Sequence, residues 1–277
     1  MAQHFLLSTK ARTLSLAQVL RCKGCGWQVS VSSGTIFAAR KLSIRDILAA
    51  IAIFTNGAKG ISALQLSRDL DVQYKTAFVM AHKLREAMAA EDMGAQVSGA
   101  VEVDGMYAGG YVKPANYKEH RRDRRLLENQ TGKRQSVIVA RERDGKTITF
   151  VAKSEAAAVP ALRQRIAEGS TVYADEASHW DAFHASYETK RINHSVAYSD
   201  GEGCTNQAES FFSRLRRAEI GTHHHISGPY LAAYASEMDW REDRRRVSNG
   251  EQFAAIVTAA AKHPISRQWK GYWQRRK

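Results

Sequence analysis

Residues 100–110 read AVEVDGMYAGG, a mostly apolar and β-branched run that predicts a strand with Asp104 in its interior. Residues 171–176 read TVYADE and predict a second short strand, which ends in Asp175. Residues 135–152 lie between them and predict a β-hairpin, because two β-rich runs flank an Asp-Gly dipeptide. Helical patterns separate and follow these strands, so the second half of the chain predicts an α/β fold.

A helix with two distinct faces is predicted where residues 206–217 read NQAESFFSRLRR. Its apolar residues follow the spacing i, i+3, i+4 and i+7 of a buried helix face, and they are Ala208, Phe211, Phe212 and Leu215. The opposite side carries Asn206, Glu209, Ser213 and Arg216. Glu209 therefore lies on a polar face that can border a groove.

Two neighbouring strands and a later helix can bring together the carboxylates of Asp104, Asp175 and Glu209. Converged carboxylates repel one another, and a hard divalent cation such as Mg²⁺, which prefers oxygen ligands, relieves that repulsion. Two such ions about 4 Å apart can activate the attacking oxygen and stabilise the leaving oxygen in phosphoryl transfer. The pattern is therefore consistent with metal-dependent chemistry on phosphate esters.

The residues leave alternatives open for these acids. Each carboxylate taken alone is more typical of a solvated surface than of a metal site. Glu102 shares a strand face with Asp104, because side chains alternate with a period of two. A shift in strand register can therefore give the metal-binding role to Glu102 instead of Asp104. Glu176, the residue next to Asp175, competes with it for the same role.

The first half of the chain predicts helices. Ser43 can cap a helix that runs to about Thr55. Residues 60–88 contain two helical patterns separated by a tight turn, an arrangement typical of a helix-turn-helix that binds DNA. The residues that would contact DNA from the second helix are Gln73, Lys75, Thr76 and Val79. The same pattern also fits a pair of helices that only packs.

The composition narrows the possible partners. The chain has 277 residues with 44% hydrophobic and 25% charged side chains, which excludes a disordered or fibrous protein. Its 41 Lys and Arg against 28 Asp and Glu give a net charge of +13, which favours a nucleic-acid partner. No apolar run reaches the roughly 18 residues of a membrane span, so no membrane partner is expected. An odd cysteine count of 3 indicates a reduced, cytoplasmic protein.

Cys22 and Cys25 form a CxxC pair with the shape of one half of a zinc site. A structural zinc ion needs four ligands, normally from two such pairs, and the second pair is missing. His4 is the one upstream alternative, and Cys204 lies far away in the sequence. The pair is therefore a candidate for residual zinc binding, but we expect no bound zinc.

Taken in order, the motifs from about Cys22 to Arg246 resemble an insertion-sequence transposase of the DDE, RNase-H-like superfamily. The branch is the ISXO-like one, which carries a zinc ribbon and a helix-turn-helix at its N-terminus. The matching strings are RCKGCGWQVSVSSGTIF, GISALQLSRDLDVQYKTAFVMAHKLREAM, VEVDGMYAGG, VYADE, RINHS, TNQAESFFSRLRR and YASEMDWREDRRR. The resemblance implies a catalytic, metal-binding triad of Asp104, Asp175 and Glu209, with Mg²⁺ or Mn²⁺ as the cofactor.

The resemblance also implies the organisation of the chain. We expect a partial zinc-ribbon-like arm, a helical helix-turn-helix domain, an α/β RNase-H-like domain whose mixed sheet is flanked by helices, and a basic helical tail. Their predicted ranges are 1–40, 41–95, 96–246 and 247–277.

Other residues of the last predicted catalytic helix have expected roles. The family usually has Lys seven residues after the catalytic Glu, and this position is Arg216 here. Arg216 and Asn206 are expected to support the helix, and Arg214 and Arg217 to contact DNA phosphates. His194 and the consecutive His223, His224 and His225 are given no role.

The expected function is that of a DNA transposase. It would bind the terminal inverted repeats of its element as a homodimer, hydrolyse a strand and use the free 3′-OH to attack target DNA. Its expected location is the cytoplasm, associated with the nucleoid when bound to DNA. Two alternatives stay open: a catalytically inactive DNA-binding protein derived from a transposase, and a nuclease or resolvase that cuts without joining.

Overall fold

A computed structural model describes residues 19–109, 115–123, 127–129, 131–192 and 204–274. The chain divides into two units. The first unit contains residues 1–91 and 247–277, and the second contains residues 92–246. The C-terminal residues, which the sequence predicts as a separate tail, thus belong to the same unit as the N-terminal helices. The functional assignment of the domains stays a prediction.

The helices and strands have the following bounds. The strands are β1 (Val19–Arg21), β2 (Gln28–Ser30), β3 (Ala100–Ala108), β4 (Gln135–Glu142), β5 (Thr147–Ala152), β6 (Thr171–Asp175) and β7 (Glu188–Ile192). The helices are α1 (Ile44–Asn56), α2 (Ala63–Asp69), α3 (Tyr74–Glu91), α4 (Glu155–Arg165), α5 (Asn206–Ala218), α6 (Leu231–Asp243) and α7 (Asn249–Lys262).

In the first unit, α1 begins where the sequence predicts it. Ser43 accepts a hydrogen bond from the backbone N–H of Asp46, whose carboxylate in turn accepts from the backbone N–H of Ser43. This reciprocal cap satisfies backbone donors that a helix start leaves without partners. The helix buries Ile47, Ile51 and Phe54 on one face.

Helices α2 and α3 are joined by a tight turn in which Asp71 has a positive φ of 50°. Ser62 caps α2 by accepting from the backbone N–H of Gln65. The residues at helical spacing in α3 form its buried face except for the first, since Tyr74 is exposed whereas the others are buried, namely Ala77, Phe78, Ala81, Leu84 and Met88. Helix α7 packs against both α1 and α3.

The second unit is built on a five-stranded sheet in the order β5-β4-β3-β6-β7. The meander from β3 to β5 is antiparallel, whereas β6 and β7 run parallel to β3. Three antiparallel strands followed by two parallel ones in this order make the mixed sheet of an RNase-H-like fold, so the predicted fold class is confirmed.

Helices cover both faces of this sheet because its strands alternate their buried residues. Val101 and Val103 of β3 point to the face covered by α4, where Leu162 is buried. Met106 of the same strand points to the opposite face, where α5 buries Phe211 and α6 also packs. The α5 face is the one that carries Glu102 and Asp104.

Two helix predictions for this unit need correction. The sequence pattern of residues 159–168 predicts a helix, but the helix spans Glu155–Arg165, because Ser154 caps it earlier, and it ends where Ile166 forms a β-bridge with Val97. The pattern of residues 177–187 also predicts an α-helix, but a 3-10 helix forms there over Ser178–Ala185. Among the described residues, no helix combines the length and apolar character needed to cross a membrane.

Candidate active site

Asp104 and Asp175 lie on adjacent parallel strands in the middle of the sheet. The ladder between β3 and β6 pairs Glu102 with Tyr173, and each aspartate lies two residues further along its strand. Both are half-buried. Asp104 accepts a hydrogen bond from the backbone N–H of Gly105 at 2.7 Å, and Asp175 accepts one from Ala177 at 3.1 Å. The sheet therefore sets the two carboxylates next to each other.

Glu209 reaches this region from the first turn of α5. The predicted apolar stripe of this helix is buried against β3 and β4, and its members are Ala208, Phe211, Phe212 and Leu215. Because that stripe faces the sheet, Glu209 is left exposed at its side. Its charge acts on Asp104, as the pKa of that carboxyl indicates.

Burial raises the pKa of Asp104 to about 7. The hydrogen bond from Gly105 opposes this rise. Repulsion by nearby carboxylates adds to it, and these belong to Asp175, Glu209 and Glu155. Without a cation nearby, Asp104 therefore holds its proton up to neutral pH, because its charged form is both desolvated and repelled.

The donor set has the chemistry of a site for a hard cation, because Asp104, Asp175 and Glu209 all offer carboxylate oxygens. As the side chains stand, no group of three or more His, Cys, Asp or Glu residues in the described part of the chain could hold a metal ion. The three carboxylates share an electrostatic field but do not form a coordination shell.

Glu155 is a fourth carboxylate in this region, and the sequence reasoning missed it. It begins α4, and its Oε2 lies 3.1 Å from Nε2 of His179. Burial raises its pKa, the charge of His179 lowers it, and that of Asp175 raises it again. The sequence feature that could have identified Glu155 is Ser154, a typical helix cap, because it places Glu155 in the first turn of α4.

Glu102, the open alternative to Asp104, has a fully buried side chain. Its Oε2 accepts hydrogen bonds from the backbone N–H groups of Gln207 and Ala208, at 2.8 and 3.1 Å. Its Oε1 pairs with Nε of Arg143 at 3.1 Å. Glu176, the alternative to Asp175, is exposed. Glu102 is thus already committed to protein partners.

The remaining α5 residues differ in exposure. Asn206, Arg216 and Arg217 are exposed. Arg214 instead pairs with Oε2 of the buried Glu242 at 2.6 Å, next to Arg141, which pairs with the other oxygen at 2.8 Å. Of the two arginines predicted to contact DNA, Arg217 is therefore the more exposed.

Gln73 and Lys75 are exposed at the start of α3, while Thr76 and Val79 are half-buried. Trp273 from the C-terminal segment donates from its indole N–H to the backbone carbonyl of Lys75 at 3.3 Å. The ammonium of Lys75 lies 5.4 Å from the centre of the same ring. The sequence pattern gives no sign of this contact between the C-terminal segment and α3.

Cys22 and Cys25 lie at the turn of the β1–β2 hairpin, and both are free thiols. Hydrogen bonds from Cys25 and Gly24 lower the pKa of Cys22. His4 and His194 fall outside the described residues. His223 packs edge-on against Tyr234, with the ring centres 4.7 Å apart.

Comparison with known proteins gives two sequence matches. The profile of a family described as an ISXO2-like transposase domain matches residues 96–243, more than half of the chain. The chain is 25% identical over 252 residues to a protein of Halobacterium salinarum described as an uncharacterized protein in transposable element ISH50. That alignment covers 86% of this chain and 83% of the relative.

A solved structure described as the Mos1 strand transfer complex was also matched. The match covers 77% of this chain and 78% of the chain in the solved structure, and the two sequences are 10% identical. Its TM-score of 0.23 is too low to support a structural relationship by itself.

Proposed function

The chain belongs to the ISXO2-like transposase family, and from this premise we propose that it cuts and joins DNA at the ends of an insertion sequence. It binds the terminal inverted repeats, hydrolyses one strand to free a 3′-OH, and directs that hydroxyl at target DNA. Both steps are phosphoryl transfers, in which positioning and neutralisation of charge supply most of the catalysis.

The observation that carries this proposal is the placement of three carboxylates: Asp104 and Asp175 lie on adjacent parallel strands, and Glu209, in the first turn of α5, is near enough for its charge to act on Asp104. In our proposal these three residues turn toward one another to hold Mg²⁺ or Mn²⁺. The bound ion would stabilise charge on the attacking and leaving oxygens of the phosphodiester. A cation held there would offset the repulsion and favour the deprotonated form of Asp104.

The chain's other residues bind and orient the DNA. Gln73 and Lys75 are exposed at the start of α3, where they can contact base edges and phosphates. Arg216 and Arg217 are exposed on the helix that carries Glu209 and can hold phosphates near the carboxylates. Asn206 is the first residue of the same helix and is exposed.

We also propose that two copies act together on double-stranded DNA, because transposition must bring two element ends into one complex. Such a protein would work in the cytoplasm, on chromosomal DNA. A scattering measurement of the complex with terminal-repeat DNA tests this, and a mass of one protein copy per assembly would contradict it.

The triad is tested by neutral isosteres. Asp104→Asn, Asp175→Asn and Glu209→Gln should each reduce Mn²⁺-dependent cleavage of a terminal-repeat duplex by at least about 100-fold, because each removes a metal-ligand charge. Binding of the duplex without metal should persist or tighten slightly, since each change removes negative charge near the phosphates.

Glu176→Gln is the matched control, because Glu176 adjoins Asp175 but is exposed. It should retain at least half of the cleavage activity. Full activity in any one of the three triad variants would remove that residue from the catalytic set.

A second candidate function is that of a transposase-derived protein that binds DNA without cutting it. The observation in its favour is that Cys22 and Cys25 form one cysteine pair where the ribbon of the family has two. Tight binding of the repeat by the wild-type protein, without cleavage under Mg²⁺ or Mn²⁺, would decide for this function. Cleavage without joining of a pre-cut end would indicate a nuclease.

A further inference from the structure

Glu102 occupies the place of a helix cap although it lies on a strand. The first backbone N–H groups of a helix have no partners within the helix and are usually met by the side chain of the N-cap residue. At α5 the N-cap residue Thr205 makes no such side-chain hydrogen bond. The carboxylate of Glu102 takes its place by accepting from Gln207 and Ala208, about 100 residues away in the sequence.

A carboxylate is well suited to this position. The N-terminal end of a helix carries a partial positive charge, which stabilises an anion there, and hydrogen bonds to a charged acceptor are the stronger kind. Glu102 is fully buried, so water does not compete for these donors. The start of α5 is therefore held against β3 by this side chain.

Arg143 completes the arrangement and links it to β6. Its Nε pairs with the free oxygen of Glu102, and its Nη2 donates to the backbone carbonyl of Cys204 at 3.1 Å, just before α5. Its guanidinium also lies 4.0 Å from the ring centre of Tyr173, which is on β6 two residues before Asp175. The pair of Glu102 and Arg143 thus contacts all three elements that carry the triad.

We propose that Glu102 is a positioning residue that sets the place of Glu209 relative to Asp104 and Asp175. Asp104 lies two residues after Glu102 on the same strand, and Glu209 follows Ala208 directly in α5. A shift of the helix start therefore changes the position of Glu209 relative to the aspartates. This inference rests on the proposed function, and it differs from the sequence-based expectation, which treated Glu102 only as a rival ligand.

Glu102→Gln is the informative substitution because it keeps the size of the side chain. The partners of Glu102 are all donors: the α5 amides on one oxygen, and the Arg143 guanidinium and the Cys204 thiol on the other. A glutamine offers one acceptor and one donor, so one of the two contacts becomes donor against donor. The helix start or Arg143 must then move.

Glu237→Gln is the matched control. Glu237 is also buried in the second unit and pairs with a buried arginine, Arg241, at 2.9 Å. Both of these residues belong to α6, so the control removes a buried ion pair that lies within a single helix. A general loss of stability should therefore affect both variants alike.

The experiment uses the full-length chain at a temperature where circular dichroism shows every variant folded. Hydrogen–deuterium exchange is followed in the peptide that spans the first turn of α5, and Mn²⁺ binding is measured by electron paramagnetic resonance without DNA. Glu102→Gln should increase exchange in that turn and weaken Mn²⁺ binding by about 10- to 100-fold, the usual effect of removing a residue that orients metal ligands. Glu237→Gln should change Mn²⁺ affinity less than about twofold.

Unchanged exchange in the first turn of α5 would overturn the proposal. Faster exchange together with Mn²⁺ affinity equal to that of Glu237→Gln would also overturn it, because Glu102 would then only stabilise the fold. If Glu102→Gln does not fold, Arg143→Lys replaces it, since Arg143 is partly exposed and the lysine keeps the charge but loses the contact with Tyr173.

Absence of Mn²⁺ binding by the wild-type protein would be a failure of the proposed function itself. The positioning role would fall with it, whereas the exchange measurement would still establish whether Glu102 holds the start of α5. The two failures are therefore distinguishable.

Discussion

Gly105 has a specific reason to be glycine. A Cβ atom at this position would lie 2.5 Å from Cγ of Glu155, which passes over the strand there. The absence of a side chain lets Glu155 approach β3 and pair with His179 while it adds negative charge next to Asp104. A single missing methyl group thus permits a fourth carboxylate beside the triad.

Gly105→Ala should destabilise the protein by about 1–3 kcal/mol, because the added methyl group forces Glu155 out of its place. In a background with Glu155→Ala the same change should cost less than about 1 kcal/mol. Denaturant unfolding of the four proteins of this double-mutant cycle measures the difference. Equal costs in both backgrounds would mean that Glu155 is not the obstacle.

Packing of the C-terminal segment against helix α3 limits which side chains of that helix are available to contact DNA. Its inner face is buried, and Phe78 also contacts Trp269, with ring centres 6.0 Å apart. Trp273 holds both the backbone and the ammonium of Lys75. Gln73, immediately before the helix, is exposed and is the better candidate for reading a base.

Gln73→Ala should lower the preference for the terminal repeat over unrelated duplex DNA by about 1–3 kcal/mol, the usual value of a bidentate contact to a base. Gln65→Ala is the control, because Gln65 is an exposed glutamine of α2 whose amide bonds to Asp69. Competition binding with both DNAs measures the preference. Equal losses on the two DNAs would restrict Gln73 to backbone contacts.

For the whole molecule, the charge of +13 is not uniformly available to a partner. Arg141 and Arg214 are held by the buried Glu242, and Arg143 is held by Glu102. These arginines stabilise the second unit, because a buried carboxylate needs a cationic partner. Binding to DNA then depends on the exposed cations.

Duplex binding should therefore depend steeply on salt. A protein that contacts about six phosphates loses about 10³-fold in affinity between about 50 and about 200 mM salt, and we expect a loss of at least about tenfold. Fluorescence anisotropy with an unrelated duplex measures the non-specific part. An affinity that stays constant across this range would contradict phosphate contacts as the source of binding.

The sequence by itself determined the elements and the three acids. Patterns within a window of ten to twenty residues are enough to place Asp104 inside a strand, Asp175 at a strand end and Glu209 on the polar face of a helix. The alternation of sheet and helix patterns, with the family motifs, was also enough for the fold class. These properties are local, because side-chain direction in a helix or strand follows from the backbone period.

Only the tertiary structure decided what surrounds those acids. The strand period of two puts Glu102 and Asp104 on one face of the sheet. The local sequence does not predict that the start of α5 covers Glu102 and leaves Asp104 beside Asp175. The close approach of Glu155 over Gly105 likewise depends on how α4 packs on the sheet. These pairs are far apart in the chain, so their contacts arise from the packing of whole elements and leave no periodic signal in the sequence.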